Sequence, residues 1–214
     1  VSETAIRFRE DLMTWAKGEI REYPWRAPDA SLYEVFVAEF FLTQTPADNV
    51  ADVYPEFLDE FDSLATIDES HEDELVAAIE PLGFHNMRAE ALKRIATNHD
   101  ELPTEPERLR SLPRVGPYVA NATLCFALKR RIPIVDRNVV RVYERVFGDA
   151  FPQSDSAREA FAEEMLPATG EEARTYNLAL LDFGALVCHK RSPDCPVCFA
   201  SGYCEYAVGL AEDQ

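Results

Sequence analysis

Apolar positions recur every three or four residues along most of this chain, and that period predicts helices almost throughout. Residues 3–21 carry Phe8, Leu12, Trp15 and Ile20 as one stripe, which Tyr23-Pro24-Trp25-Arg26 interrupts. A helix is predicted from about Leu32 to Thr43, and Pro46 opens another with Val50, Val53, Tyr54, Phe57, Leu58 and Phe61 inward. The acidic run over 68–74 reads as a solvated connection into a short helix that stops at Gly83. Helices follow over 86–98 and 105–111, from Pro117 onward, near 137–147 as far as Gly148, and over about 155–166 and 171–187. No period-two strand pattern, internal repeat, low-complexity tract or long linker appears, so the fold class is all-α.

Composition narrows the class of protein. The 214 residues are 47% hydrophobic, enough for one large or two small domains with a sizeable core. No apolar run approaches the roughly 18 residues of a membrane span. The charged beginning has no signal-peptide core, so the expectation is a cytosolic protein away from membranes. The net charge of −18 argues at first against nucleic acid. The cations change that picture: four lysines stand against 17 arginines. Many carboxylates with few lysines suit a high-salt cytosol, in which acidity reflects the solvent rather than the ligand.

Four of the five cysteines fall in the last thirty residues. Cys188, Cys195, Cys198 and Cys204 follow the spacing C-x6-C-x2-C-x5-C. In a reducing compartment such a cluster points to metal rather than disulfides. Spacing alone leaves both a four-thiolate zinc and an iron–sulfur cluster open. Cys125, in an apolar run, reads as a buried core thiol.

Three further features bear on chemistry. In Leu112-Pro113-Arg114-Val115-Gly116, a proline and a glycine frame a tight bend, and Pro117 suits the first position of the next helix. A helix start of this kind can take an anion through backbone N–H groups, or it can simply be a packed turn. Asp136 follows apolar Ile132-Pro133-Ile134-Val135 and begins a helix, either as an ordinary cap or as a fixed negative charge. Glu39 has Val35, Phe36 and Leu42 as helical neighbours; on an apolar face its pKa rises, and at the helix edge it reaches water.

The hairpin, together with Ile132-Pro133-Ile134-Val135-Asp136-Arg137-Asn138, resembles the helix-hairpin-helix DNA glycosylases, and the likeness runs from Tyr23 through Cys204. One departure stands out: Arg114 occupies the position of the first hairpin glycine, where it either strains a left-handed site or adds a phosphate contact. The resemblance implies two helical domains flanking a DNA-binding cleft, with residues 23–136 inserted into a domain built from 1–22 and 137–214. It implies a monomer that flips a mispaired base from double-stranded DNA, and a [4Fe-4S] cluster on the four C-terminal cysteines. Asp136 matches the catalytic aspartate, Glu39 the residue that assists the leaving base, and Tyr118 a residue lining the pocket. Residues 112–116 match the phosphate grip, and Gln44 the end of a segment that reaches into the duplex. Bifunctional members carry a lysine at the position of Tyr118, so strong lyase activity is not expected.

For the base, Phe84-His85-Asn86 and the ten residues after Cys204 lean toward the thymine–guanine mismatch branch. The alternative is adenine opposite guanine or 8-oxoguanine. From other classes, a non-catalytic DNA-binding module and a zinc-stabilised scaffold stand as rivals. Asp136 and Glu39 argue against the module, because binding alone needs neither.

Overall fold

In the computed structural model, which describes residues 2–212 with side chains as far as Leu210, every regular element among the described residues is helical. The helices are α1 (Glu3–Glu19), α2 (Leu32–Leu42), α3 (Ala47–Glu60), α4 (Leu64–Glu69), α5 (Glu72–Ile79), α6 (His85–Asn98), α7 (Pro106–Arg110), α8 (Pro117–Leu128), α9 (Arg137–Phe147), α10 (Asp155–Met165), α11 (Gly170–Leu186) and α12 (Glu205–Glu212). They gather into two compact units, Glu22–Leu128 and Val1–Arg21 with Lys129–Gln214. No helix is long and apolar enough to cross a membrane among the described residues.

The middle unit is built on α2 packed against α8. Ser31 starts α2 with a reciprocal cap: its Oγ accepts from Glu34 N at 3.2 Å, and Glu34 Oε2 accepts from Ser31 N at 2.6 Å. Every residue from Val35 to Phe41 is buried, so this stretch of α2 is apolar all round except for Glu39. In α8, Pro117 takes the first position and Val119–Phe126 are all buried. Val50, Tyr54 and Phe57 of α3 close a second side of α2.

The acidic run expected as a connection over 68–74 instead spans the end of α4, a break at Ser70 and His71, and the first turn of α5. Local capping explains the difference. Ser63 and Thr66 cap the start of α4, while Lys93 Nζ from α6 donates to the carbonyls of Ile67, Asp68 and Ser70 at its end. Glu72, Asp73 and Glu74 fill the first turn of α5, where negative charge is favourable.

The terminal unit packs α1 along α11, with α9 on α11 and α12 on α9. Phe8, Tyr143, Phe147 and Phe183 interlock edge to face in its core, and the hydroxyls of Tyr143 and Tyr176 satisfy each other at 3.0 Å. Residues 129–136, expected in the insert, belong to this unit. Arg131 Nε donates to Pro167 O at 2.8 Å, and Asn177 Nδ2 donates to Ile132 O at 3.0 Å. Gly170 permits this approach, because a Cβ there would lie 1.6 Å from Lys129 O.

Candidate active site and cysteine loop

Glu39 occupies the middle of α2 and is only 2% exposed. Burial pushes its carboxyl up to about 7, against the opposing pull of Arg26 and of a hydrogen bond from Tyr118. Its Oε2 is enclosed without a partner. Tyr118 stands one position into α8, so the α2–α8 packing that builds the unit also brings these two side chains together. A carboxyl so placed holds its proton near neutral pH and can donate it.

Asp136 caps α9 in the terminal unit. Its Oδ1 accepts from the backbone N–H groups of Asn138 and Val139 at 2.8 and 2.7 Å, and its Oδ2 accepts from Asn138 Nδ2 at 2.8 Å. Cap and fixed charge are therefore one arrangement: the hydrogen bonds that start the helix also hold the carboxylate still. The network continues. Arg141 Nη1 donates to Asn138 Oδ1 at 2.8 Å, and its Nε donates to Cys188 O at 3.0 Å. Four residues on, Arg145 Nη1 donates to Cys188 Sγ at 3.3 Å and to His189 O at 2.6 Å. Asn138, Arg141 and Arg145 escaped the sequence reading. Their i, i+3, i+7 spacing was visible as a polar stripe on an amphipathic helix, but nothing local named the cysteine loop as its partner.

The cysteine loop leaves α11 at Val187 and ends where α12 begins. Cys188, Cys195, Cys198 and Cys204 all line one small cavity, walled by Val146, Phe183 and Val187, and all five cysteines are free thiols. Burial pushes the Cys198 thiol up to about 11, and its three neighbours add to the effect. Four thiolates together therefore need compensating positive charge, to which Arg145 contributes. No group of three or more His, Cys, Asp or Glu side chains among the described residues is set to hold a single metal ion. Cys125 is fully buried in α8, as a core thiol.

The hairpin buries Leu112 and Val115 and closes with Val115 N–H donating to Leu112 O at 3.1 Å. Pro113 and Gly116 are half-buried, and Arg114 is exposed. Arg114 has φ +60°, so its position does take the left-handed conformation that glycine would adopt freely. Gln44, just past α2, is likewise exposed with φ +62°. A separate recess in the terminal unit carries Arg137, Arg141, His189 and Lys190, a local concentration of cations in an acidic chain.

Comparison with known proteins bears on this arrangement directly. Residues 37–168, more than half of the chain, match the HhH-GPD superfamily of base excision DNA repair proteins. The chain belongs to that superfamily. Its activity class is that of a DNA glycosylase, an enzyme that hydrolyses N-glycosyl bonds. Among relatives, it is 34% identical over 212 residues to the thymine/uracil-DNA glycosylase of Pyrobaculum aerophilum, covering 94% of this chain and 91% of that one. It is 35% identical over 196 residues to the adenine DNA glycosylase of Mycobacterium tuberculosis, covering 88% of this chain but only 64% of the longer relative. A thermostable thymine-DNA glycosylase of known structure superposes with a TM-score of 0.90 at 30% identity, over 97% of this chain and 98% of that one.

Proposed function

We propose that this HhH-GPD protein is a monofunctional glycosylase that removes thymine or uracil opposite guanine. The observation that carries the monofunctional reading is the hydrogen bond between Tyr118 and buried Glu39. The position expected to bear a lyase lysine bears a phenol instead, already committed to the acid. Asp136, in the other unit, is fixed by three N–H donors and presents negative charge. In the reaction, the C1′–N bond breaks and its electron pair leaves with the base. Neutral Glu39 donates a hydrogen bond or proton to that base. Asp136 stabilises the sugar cation and takes the proton from the water that adds to C1′. Gln44 and residues 112–116 face the duplex in this reading, and the unstacking of a weak T·G wobble pair favours it as substrate.

The four thiols around one apolar cavity, with an arginine N–H on Cys188 Sγ, fit a [4Fe-4S] cluster. Bound there, such a cluster supplies rigidity to residues 188–204 and no substrate turnover. Anaerobically purified protein is expected to carry about four irons and four sulfides per chain; stoichiometric zinc without sulfide would overturn the assignment. Cys198→Ala should lose the iron, whereas Cys125→Ala should keep it.

The base preference rests on the thymine/uracil relative, which this chain matches nearly end to end. Adenine excision is the second reading, favoured by the similar identity to the mycobacterial adenine glycosylase. Duplexes differing in one pair decide: release from T·G and U·G is expected. Release from A·8-oxoguanine alone would overturn the preference and leave the glycosylase class standing. The −18 charge with four lysines fits a high-salt cytosol, and the glycosylase reading places the protein on the DNA of the nucleoid. Activity should persist or increase in molar KCl, where carboxylate repulsion is screened.

A further inference from the structure

Tyr23-Pro24-Trp25-Arg26, the break after the first apolar stripe, folds as a 3₁₀ turn over Pro24–Arg26 with Tyr23 at its N-cap. Pro24 suits the first position because its φ is already fixed. Three residues per turn bring side chains i and i+3 into line. Arg26 N–H donates to Tyr23 O at 2.9 Å, and the Arg26 guanidinium lies over the Tyr23 ring, 5.1 Å from its centre. Trp25 is 2% exposed and stacks on Tyr23, with ring centres 4.6 Å apart and planes 5° from parallel. Tyr54 of α3 meets Trp25 edge-on at 5.3 Å. The Tyr23 hydroxyl donates to Asp48 Oδ1, in the first turn of α3, at 3.0 Å.

Trp25 therefore fixes the Tyr23 ring along its face, and Asp48 fixes it at its tip. A phenol that donates to a carboxylate becomes more electron-rich, and such a ring attracts a cation more strongly. The turn packs against α2, the helix that carries Glu39. Arg26 is half-buried, and its charge opposes the effect of burial on the Glu39 carboxyl. Tyr118 of α8 acts on the same carboxyl through its hydrogen bond. From α3, the Tyr54 hydroxyl is spent on Glu34 O at 3.1 Å and Asp48 on Tyr23. A long arginine left to itself samples many rotamers, and water screens its charge. Held in one place beside a low-dielectric site, the same charge acts with full effect.

We infer that Tyr23 is a positioning residue for the acid: braced by Trp25 and Asp48, it holds Arg26 where its charge steadies the carboxylate that Glu39 becomes on giving up its proton. A buried acid with no such counter-charge keeps its proton too tightly to be an effective donor. The arrangement leaves Glu39 neutral before reaction and makes its anion tolerable afterwards. Tyr23 acts through Arg26 and takes no part in the chemistry itself. The inference rests on the reading of Glu39 as the acid for its purpose, whereas the link from Tyr23 through Arg26 to Glu39 is measurable in the free protein.

The test follows the ¹³Cδ signal of Glu39 by NMR as pH is raised on the full chain, the signal being assigned by its loss in Glu39→Gln. Tyr23→Leu removes the aromatic face, and the Glu39 midpoint should move upward by a fraction of a unit. Tyr23→Phe keeps the ring and its stack on Trp25 but loses Asp48, so it should fold as the parent does and move the midpoint upward by less. In an Arg26→Gln background both substitutions should leave the midpoint where Arg26→Gln alone puts it, because the effect is routed through the guanidinium. A midpoint unmoved by both Tyr23 variants, or moved equally with and without Arg26, would overturn the inference; the second result would make Tyr23 a packing residue. The alkaline limb of base release is measured on the same variants. A limb that moves with the midpoint supports the positioning role in the reaction. A midpoint that moves under a fixed limb keeps the link from Tyr23 to Glu39 and removes the acid reading instead.

Discussion

Glu39 and Asp136 are both carboxyls, one in each unit, and their surroundings differ in almost every respect. Glu39 lies in a buried helical stretch, Val35–Phe41, that is otherwise apolar, with one oxygen unpartnered and its pKa pushed up to about 7 by burial. Asp136 lies at a helix start, part-exposed, with both oxygens accepting N–H donors. One environment withholds water and leaves one oxygen without a partner, which favours the neutral acid despite the hydrogen bond from Tyr118. The other supplies donors, the hydrogen-bonding pattern of an anion. Carboxyls whose environments separate them in this way can divide acid from anion roles at a single pH. Under the proposed function, this contrast supports donation by Glu39 and cation stabilisation by Asp136 rather than the reverse.

Asp136→Asn should break the comparison most severely. Asparagine keeps the shape and can still accept one backbone N–H, but it carries no charge. Base release is expected to fall by at least about 10³-fold, with duplex binding retained and stability lower by about 1 kcal/mol. Single-turnover release and a binding isotherm on the same duplex check both halves. Release at the parent rate would reduce Asp136 to a helix cap.

Glu39→Gln removes the other carboxyl, with an expected loss of about 10²–10⁴-fold in release. It also carries a stability signature. The unfolded carboxyl ionises near its ordinary value of 4.5, while the folded one holds its proton to about 7. Between those values the folded state binds more protons, so the parent loses stability as pH rises through that window. The loss is up to about 3 kcal/mol above pH 7. Glutamine has no such titration. The stability of the variant relative to the parent should therefore rise from pH 4.5 to pH 8, whatever constant offset its amide brings. A pH-independent difference between the two unfolding curves would show that Glu39 ionises at the same pH in the folded as in the unfolded chain.

The same two residues show what was legible in the chain. The apolar neighbours of Glu39 at i−4, i−3 and i+3 forecast its burial, and the run Ile132–Val135 before Asp136 forecast a cap, because both are local patterns. The four cysteines announced their cavity through spacing. What stayed hidden depends on partners distant in sequence. The hydrogen bond from Tyr118 to Glu39 needs α8 laid against α2. The path from Asp136 through Asn138 and Arg141 to Cys188 needs residues 47 apart to meet. The acidic run over 68–74 looked unstructured because its stabilising cation, Lys93, comes from α6. Arg114 could be flagged as a departure, but its φ of +60° emerges only once the turn is built.

Tyr118→Phe is the finest test of the comparison. The phenol donates to Glu39 and favours its ionised form, partly offsetting burial. Phenylalanine preserves the ring and its packing but removes that donor. Glu39 should then hold its proton to still higher pH, so the alkaline limb of the release profile moves upward by a fraction of a unit. At pH 8 the variant should retain a larger share of its own maximum than the parent does, even if that maximum drops severalfold through lost positioning. Borohydride should trap no efficient covalent adduct with either protein, since neither offers an amine at position 118. A limb that stays fixed, or moves to lower pH, would separate the release profile from Glu39. The acid role would then have to be sought in another group, with the anion at Asp136 left in place.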